Sequence, residues 1–194
     1  MIEWIYDMDK NILLLIQDYV RDDMLTPVMK FITTLGNAGF IWIVLAILLC
    51  IIKKYRRTGI TCFYALGLSL VINNLFLKHF IARSRPFDVI GELVPLIPKP
   101  TDFSFPSGHT ACSFAAGFLL FRKLPKKYGI PVLLLAVLIS FSRLYVGVHY
   151  PSDVIAGTVS GICISYLAEI AVNFLEKCVA EHHKKQQIER GKEA

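Results

Sequence analysis

Three short polar segments stand out from an otherwise apolar chain, and their residue types point to one kind of chemistry. The first, KHFIARSRP at residues 78–86, sets Lys78 and Arg85 seven positions apart ahead of a proline. The second, Pro106-Ser107-Gly108-His109, is a turn-like tetrad that opens directly onto an apolar run. The third, SRLYVGVHYPSD at 142–153, carries Arg143, His149 and Asp153. Two guanidinium groups and an ammonium supply many N–H donors and no acceptors. Brought to one point they repel each other unless an anion with several oxygens sits among them. A phosphate is such an anion, and arginine forks match its geometry. Ser107 and Gly108 add a hydroxyl and backbone amides at a helix N-terminus, itself an anion-binding feature.

Two imidazoles remain for the reaction itself. His149 and Asp153 are four apart, a spacing that on a helical turn sets the carboxylate beside the ring. A carboxylate on Nδ1 fixes the tautomer and stabilises the imidazolium that forms after attack, so His149 is the better nucleophile. His109, at a helix start with no carboxylate nearby in sequence, suits proton donation to the leaving oxygen. Phosphoryl transfer needs alignment and neutralisation of the equatorial oxygens more than covalent help. The cations can supply that, and no Asp/Glu cluster for a metal is evident, so neither metal nor cofactor is expected.

Each piece alone has a plainer reading. Lys78 or Arg85 would be an interfacial anchor, Arg143 and Asp153 a structural ion pair, His149 an interfacial residue, and the tetrad a helix cap. Seven polar groups of complementary chemistry on one membrane face outweigh those readings. His79 and Arg83 lie inside the first segment as bystanders, with a contact to the substrate headgroup as the alternative. Asn73 and Asn74 read as hydrogen-bonders between helices, and Trp4, Trp42 and Tyr145 as an interfacial aromatic belt.

The elements that must position these groups follow from composition. Of 194 residues, 55% are apolar and 19% charged, below the roughly 25% charge of soluble domains. Five apolar stretches recur: 39–52, 58–77, 109–121, 128–142 and 154–175. An all-α, multispan transmembrane bundle is therefore expected, with five spans, or six if residues 9–35 make another. Asp18, Asp22 and Asp23 interrupt that N-terminal region, so 9–20 and 22–35 read as two short interfacial helices. The whole chain reads as one membrane-embedded domain: 1–35 interfacial, 36–175 spans and polar loops, 176–194 a cytoplasmic basic tail. The proline-rich stretch 86–106 is a stiffened loop.

The net charge of +6 is gathered in knots at 53–57, at 122–127 and in the tail. That is the pattern of cytoplasmic loops in a multispan protein, not a nucleic-acid surface. It puts the three polar segments together on the extracytoplasmic face and the C-terminus in the cytoplasm. Five cysteines, odd in number, lack metal spacing, and the four in apolar runs read as packed thiols. The acidic opening MIEWIYDMDK lacks the marks of a cleaved leader, and the whole reads as an integral protein of a bacterial plasma membrane.

Taken in order and spacing, Lys78-x6-Arg85-Pro86, Pro106-Ser107-Gly108-His109 and Ser142-Arg143-x5-His149-x3-Asp153 resemble the three-part signature of the type 2 phosphatidic acid phosphatase (PAP2) family. That family includes undecaprenyl pyrophosphate phosphatases, phosphatidylglycerophosphate phosphatases and, further off, soluble acid phosphatases and vanadium haloperoxidases. The resemblance implies a helical bundle that hydrolyses a terminal phosphate from a membrane lipid phosphate or diphosphate. In it Lys78, Arg85 and Arg143 hold the phosphate with Ser107 and Gly108. His149 forms a phosphohistidine, Asp153 orients it, and His109 serves as acid and then base. Two other readings share the scaffold: a lipid-linked phosphotransferase, and a non-catalytic lipid-phosphate binder or transporter. Binding alone would need no nucleophile, and a transporter would need a second, inward-facing polar set that the sequence lacks. The expected partners are a lipid phosphate substrate and the bilayer, with no nucleic acid.

Overall fold

A computed structural model describes residues 2–193; Met1 and Ala194, the outer limits of the N-terminal segment and of the tail, lie outside the described residues. The described chain is helical throughout, with no strand. Helix α1 (Ile2–Leu15) runs through a wider π turn to Val20 and stops at Arg21, where the backbone becomes extended. Asp22 restarts the chain: its Oδ1 accepts from the backbone N–H groups of Met24 and Leu25 at the head of α2 (Leu25–Leu35). This local capping explains why the break falls at the acidic cluster. A sharp corner at 36–39, with Ala38 and Gly39 at positive φ, leads into α3 (Phe40–Ile51) at a 52° bend.

Helix α4 (Arg56–Ser69) continues through a π segment, Leu70–Leu77, into α5 (Lys78–Ile81). Such insertions are frequent at functional sites, and this one delivers Lys78, whose backbone N–H bonds Asn73 O. Ala82 in the left-handed region ends the helix. Pro86 begins the single turn α6 (Pro86–Val89), and an irregular stretch then leads to α7 (Gly108–Lys123), α8 (Lys126–Tyr145) and α9 (Pro151–Glu193).

Helix α7 lies at the centre, packed on α4, α8 and α9. Its neighbour α9 can approach so closely because glycines face it: a Cβ on Gly161 would stand 2.6 Å from Ala111 O, and one on Gly157 2.8 Å from Ser107 O. Small residues at helix contacts are the usual means of tight packing in lipid. Here they bring the starts of α7 and α9, and so the second and third polar segments, side by side.

Among the described residues, three helical stretches are long and apolar enough to cross a membrane: 53–89, 126–145 and 151–182. The bent pair α2–α3 makes a fourth if it is one span. Their outward faces carry exposed Leu75, Phe76, Leu134, Val137, Ile155, Ile170 and Phe174, which water does not favour and lipid does. The expected count of five is not reproduced. Helix α7 is 16 residues long, and its surroundings are protein, so alanine, glycine and serine suffice where a lipid-facing span needs leucine. Nor does α2 lie apart as an interfacial helix: Met29 and Thr33 are buried against α8. Two aromatic residues also differ from the interfacial belt expected of them. Trp42 is fully buried in the central core and donates from Nε1 to Ser113 Oγ at 3.0 Å. Tyr145 is fully buried, its hydroxyl accepting from Asp22 N at 3.0 Å and sharing a bond with Thr26 Oγ1.

Candidate active site

At the end of the bundle where α5 stops and α7 and α9 begin, a cavity of about 900 Å³ opens. Six of the eight expected residues line it: Lys78, Arg85, Gly108, His109, Arg143 and His149. Lys78 comes from α5, Arg85 from the residue before α6, Arg143 from the last turn of α8, and His149 from the α8–α9 turn. The three cations are buried, each at most 5% exposed. From this polar mouth the cavity continues between α3 and α4 along Ile43, Phe63, Leu66 and Leu70, an apolar slot.

Hydrogen bonds fix the protonation of His149. Arg85 Nη1 lies 3.4 Å from His149 Nε2, and a guanidinium can only donate, so Nε2 carries a lone pair. The ring proton is then on Nδ1, which faces Asp153 Oδ2 at 3.4 Å. Asp153 is itself held on every side: Tyr150 N donates to Oδ2 at 2.9 Å, Ser104 Oγ to the same oxygen, and Arg83 Nη1 to Oδ1 at 2.7 Å. Burial, helped by the nearby Arg85 and Arg143 cations and only partly opposed by Asp153, pushes the His149 imidazole down to about 4. The ring is neutral at pH 7, with the Nε2 lone pair facing the Arg85 Nη1 donor.

His109 is oriented from another helix. Its Nε2 is 3.0 Å from Asn37 Oδ1 in the corner between α2 and α3. That corner needs Gly36, because a Cβ there would stand 2.7 Å from the His109 ring. Arg143 donates from Nη1 to Thr33 Oγ1 at 2.6 Å, while its Nε, buried, has no partner among the described residues. A buried donor without an acceptor is costly; Arg21 Nη2 and Arg122 Nε, on residues that do not line the cavity, are in the same state.

Ser107 departs from the role the resemblance implies. It is fully buried and does not line the cavity. Its hydroxyl caps α7, accepting from Thr110 N at 3.4 Å and from Thr110 Oγ1 at 3.0 Å. Gly108 borders the cavity, with the Asn74 side chain against it. Neither His79 nor Arg83 lines the cavity. His79 is exposed and bonded to Leu75 O, and Arg83 lies behind Asp153. Arg143 and Asp153 do not pair with each other. Asn73, as expected, bridges helices, accepting from Ser160 Oγ at 2.7 Å.

Sequence reasoning missed several groups. Asp102 reaches Lys78 and Arg85 Nη2, the latter at 2.6 Å. Asp9, on α1, is 3% exposed and accepts from Arg83 Nη2 at 2.8 Å, from Ser152 N at 2.9 Å and from Ser152 Oγ. A chain of buried charge thus runs from α1 through Arg83 to Asp153. Asp9 had a signal of its own: it falls on the buried stripe Asp9–Leu13–Ile16, where an apolar residue belongs.

The PAP2 superfamily profile matches residues 58–176. An undecaprenyl-diphosphatase of Sulfolobus acidocaldarius is 38% identical over 151 residues, which cover 78% of this chain and 72% of that protein. The solved structure of Aquifex aeolicus LpxE aligns with a TM-score of 0.74 at 28% identity, over 83% of this chain and 94% of that one. A transmembrane PAP2-type phosphatidylglycerolphosphate phosphatase from Bacillus subtilis aligns with a TM-score of 0.69, also at 28% identity, over 89% and 86%.

Proposed function

The chain belongs to the PAP2 superfamily and is a lipid phosphate phosphatase, and from that premise we propose how it acts and on what. His149 Nε2 attacks the terminal phosphorus of a lipid phosphate or diphosphate, forming a phosphohistidine as the bond to the leaving oxygen breaks. His109 gives that oxygen a proton, then takes one from the water that releases inorganic phosphate. Lys78, Arg85 and Arg143 neutralise the three equatorial oxygens throughout. Asp153 holds the Nδ1 proton and steadies the imidazolium charge. Ser107 contributes by fixing the start of α7, where the first-turn amides of Gly108 and His109 point outward.

The observation that carries this reading is the arrangement at Nε2. A neutral imidazole presents Nε2 at a cavity where three buried cations converge, its lone pair held by Arg85 Nη1, one of the groups that would turn to the phosphate. The apolar slot between α3 and α4 supports a lipid tail, lying where a chain could extend from the charged mouth into the bundle. Undecaprenyl diphosphate, phosphatidic acid and phosphatidylglycerol phosphate all present a terminal phosphate that would fit, and the names of the relatives support the first and third.

We infer further that the site faces away from the cytoplasm. The basic knots lie at the other end, since Glu169 of α9, paired with Arg122, stands 18 residues or ~27 Å along the helix from its start at Pro151. That is about one hydrocarbon thickness. The chain would then cross five or six times, with α7 among the spans and the C-terminus in the cytoplasm.

The test is phosphate release from those three lipids by the purified protein. His149→Ala should abolish turnover with the fold intact, EDTA should leave the rate unchanged, and vanadate should inhibit. A fully active His149→Ala protein overturns the mechanism, and dependence on added magnesium overturns the role given to the cations.

A further inference from the structure

Two of the three cations assigned to the phosphate are already engaged by a single carboxylate. Asp102 pairs with Lys78 Nζ through Oδ2 and with Arg85 Nη2 through Oδ1 at 2.6 Å, spanning them as two oxygens of a phosphate would. Its surroundings differ from theirs. The Lys78 and Arg85 side chains are 6% and 4% exposed, whereas that of Asp102 is 54% exposed. The cations cannot leave; the carboxylate can.

We propose that Asp102 sets the affinity threshold of the phosphate site: its carboxylate is a resident anion that a terminal phosphate, with its extra charge, displaces and that a phosphodiester is too weak a ligand to displace. The inference rests on the reading that Lys78 and Arg85 hold the substrate phosphate. Displacement needs only a side-chain rotation, because the backbone around Asp102 is pinned independently. Arg85 Nε donates to Asp102 O at 2.7 Å, and Ser104 N donates to Arg83 O at 2.8 Å. Pro98 and Pro100 stiffen the approach. The two bonds from Arg85, one to the carbonyl and one to the carboxylate, are separable.

Charge then decides which anion enters. A terminal phosphate carries about −1.5 to −2 at neutral pH, so its exchange for a carboxylate adds about half to one negative charge among Lys78, Arg85 and Arg143. A phosphodiester carries one charge, as the carboxylate does. It gains nothing by the exchange and must also be ordered at the site. Protonation offers no bypass. Burial favours the neutral acid, but Lys78 and Arg85 outweigh it and hold Asp102 down at about 2. An enzyme embedded among phosphodiester headgroups would in this way keep its phosphate site from filling with bulk lipid. The cost of displacing Asp102 falls on both anions alike, so the extra charge of the terminal phosphate provides the discrimination and Asp102 sets the affinity that either must exceed.

The test is equilibrium binding to the purified full chain in an uncharged detergent at pH 8, by calorimetry, with inorganic phosphate and dimethyl phosphate as probes. The unaltered protein should bind phosphate at least tenfold more tightly than dimethyl phosphate. Asp102→Asn should tighten dimethyl phosphate binding by about tenfold or more, and inorganic phosphate binding by a similar factor, and Asp102→Ser should do the same. Melting curves confirm that both variants are folded. Unchanged affinities in both variants overturn the proposal, as does equal affinity for the two probes in the unaltered protein, or no phosphate binding at all. Because binding is read without turnover, the two readings fail separately. Discrimination without lipid hydrolysis refutes only the hydrolase mechanism, and hydrolysis with unchanged affinities in both variants refutes only the role of Asp102.

Discussion

At one end of the bundle Arg57, Arg122 and Lys123 lie partly in solvent, and each has a carboxylate of its own or a share in one. Arg57 pairs with Glu176 at 2.8 Å, and Arg122 (3.0 Å) and Lys123 pair with Glu169. Arg122 also stacks over Tyr166 at 4.0 Å, and Lys126 over Phe121 at 3.9 Å. At the other end Lys78 and Arg85 are buried and share the one carboxylate of Asp102, while Arg143, also buried, bonds Thr33 Oγ1 and pairs with no carboxylate among the described residues. The residue types are the same at both ends. An unpartnered buried Nε does not separate the ends, since among the described residues Arg122 has one as well as Arg143. Exposure and carboxylate partners do: the far end has partly exposed charges, each matched by a carboxylate, and the cavity end has buried cations with fewer. Buried charge that is left short of partners lowers stability, and at membrane depth it marks function. The contrast therefore separates charges kept for the fold from charges kept for the reaction.

The sharpest way to break that contrast is Arg143→Met, which removes a buried cation and leaves a side chain of similar length. If the cation serves the reaction, turnover should fall by about 100-fold or more, as when a donor to a developing oxyanion is removed. The melting temperature should hold or rise, because an unmatched charge has left the interior. A protein that unfolds while its residual folded fraction turns over normally would put Arg143 with the far-end residues.

Next in size is the network behind His149. Arg83→Met strips Asp9 and Asp153 of their common cation, and both carboxylates are at most 3% exposed. Stability should drop by about 2 kcal/mol, below the 3–5 kcal/mol typical of a broken buried pair because Arg83 is itself 23% exposed. Since Arg83 does not touch the cavity, kcat should fall roughly tenfold with KM nearly constant. A change confined to KM would mean that Arg83 contacts the headgroup after all. This case sits between the two ends of the molecule: the charges are buried like those of the site and fully paired like those of the far end.

The three polar segments were legible because their residues are chemically conspicuous and lie at fixed spacing. Lys78, Arg85, Gly108, His109, Arg143 and His149 do meet in one cavity. What was hidden depends on partners far away in the chain. Asp9 and Ser152 are 143 residues apart, and Asn37 and His109 are 72 apart. Asp102 looked like any loop carboxylate until the loop was seen folded onto the cations. The long helices were legible from their apolar length. The central position of α7 was not legible, because hydropathy cannot tell whether a helix faces lipid or other helices. Trp42 was misassigned for the same reason: its partner, Ser113, lies on that central helix.

Acidity tests the contrast from a third direction. His149 titrates at about 4 in the folded protein, against about 6.5 in an unfolded chain. The neutral ring is the nucleophile, so kcat/KM should fall on the acid side with a midpoint near pH 4. Asp102 is still ionised there. The same shift acts on stability. Above pH 6.5 neither state binds the proton; between about 6.5 and 4 the unfolded chain takes it up first, so the fold loses stability as pH falls, and below 4 the loss levels off. His149→Phe should flatten that part of the melting-temperature profile. A midpoint for kcat/KM near 6.5 would mean that the ring is solvated in the working enzyme, and the cavity would then resemble the far end.

The smallest effect belongs to the far end itself. Glu169→Gln leaves Arg122 and Lys123 without their carboxylate, but both cations keep water: their side chains are 20% and 32% exposed. Arg122 also retains the Tyr166 face and a bond to Ser165 O at 3.3 Å. Partly exposed pairs of this kind contribute about 1 kcal/mol or less. The melting temperature should therefore fall by a few degrees at most, and more at low salt than at high, because screening weakens such pairs already. Turnover should be unchanged, since the residue stands ~27 Å along α9 from the helix start. If Glu169→Gln slowed the reaction as much as Arg83→Met, the division between structural and catalytic charge would fail. The two ends would have to be coupled through α9, the helix they share.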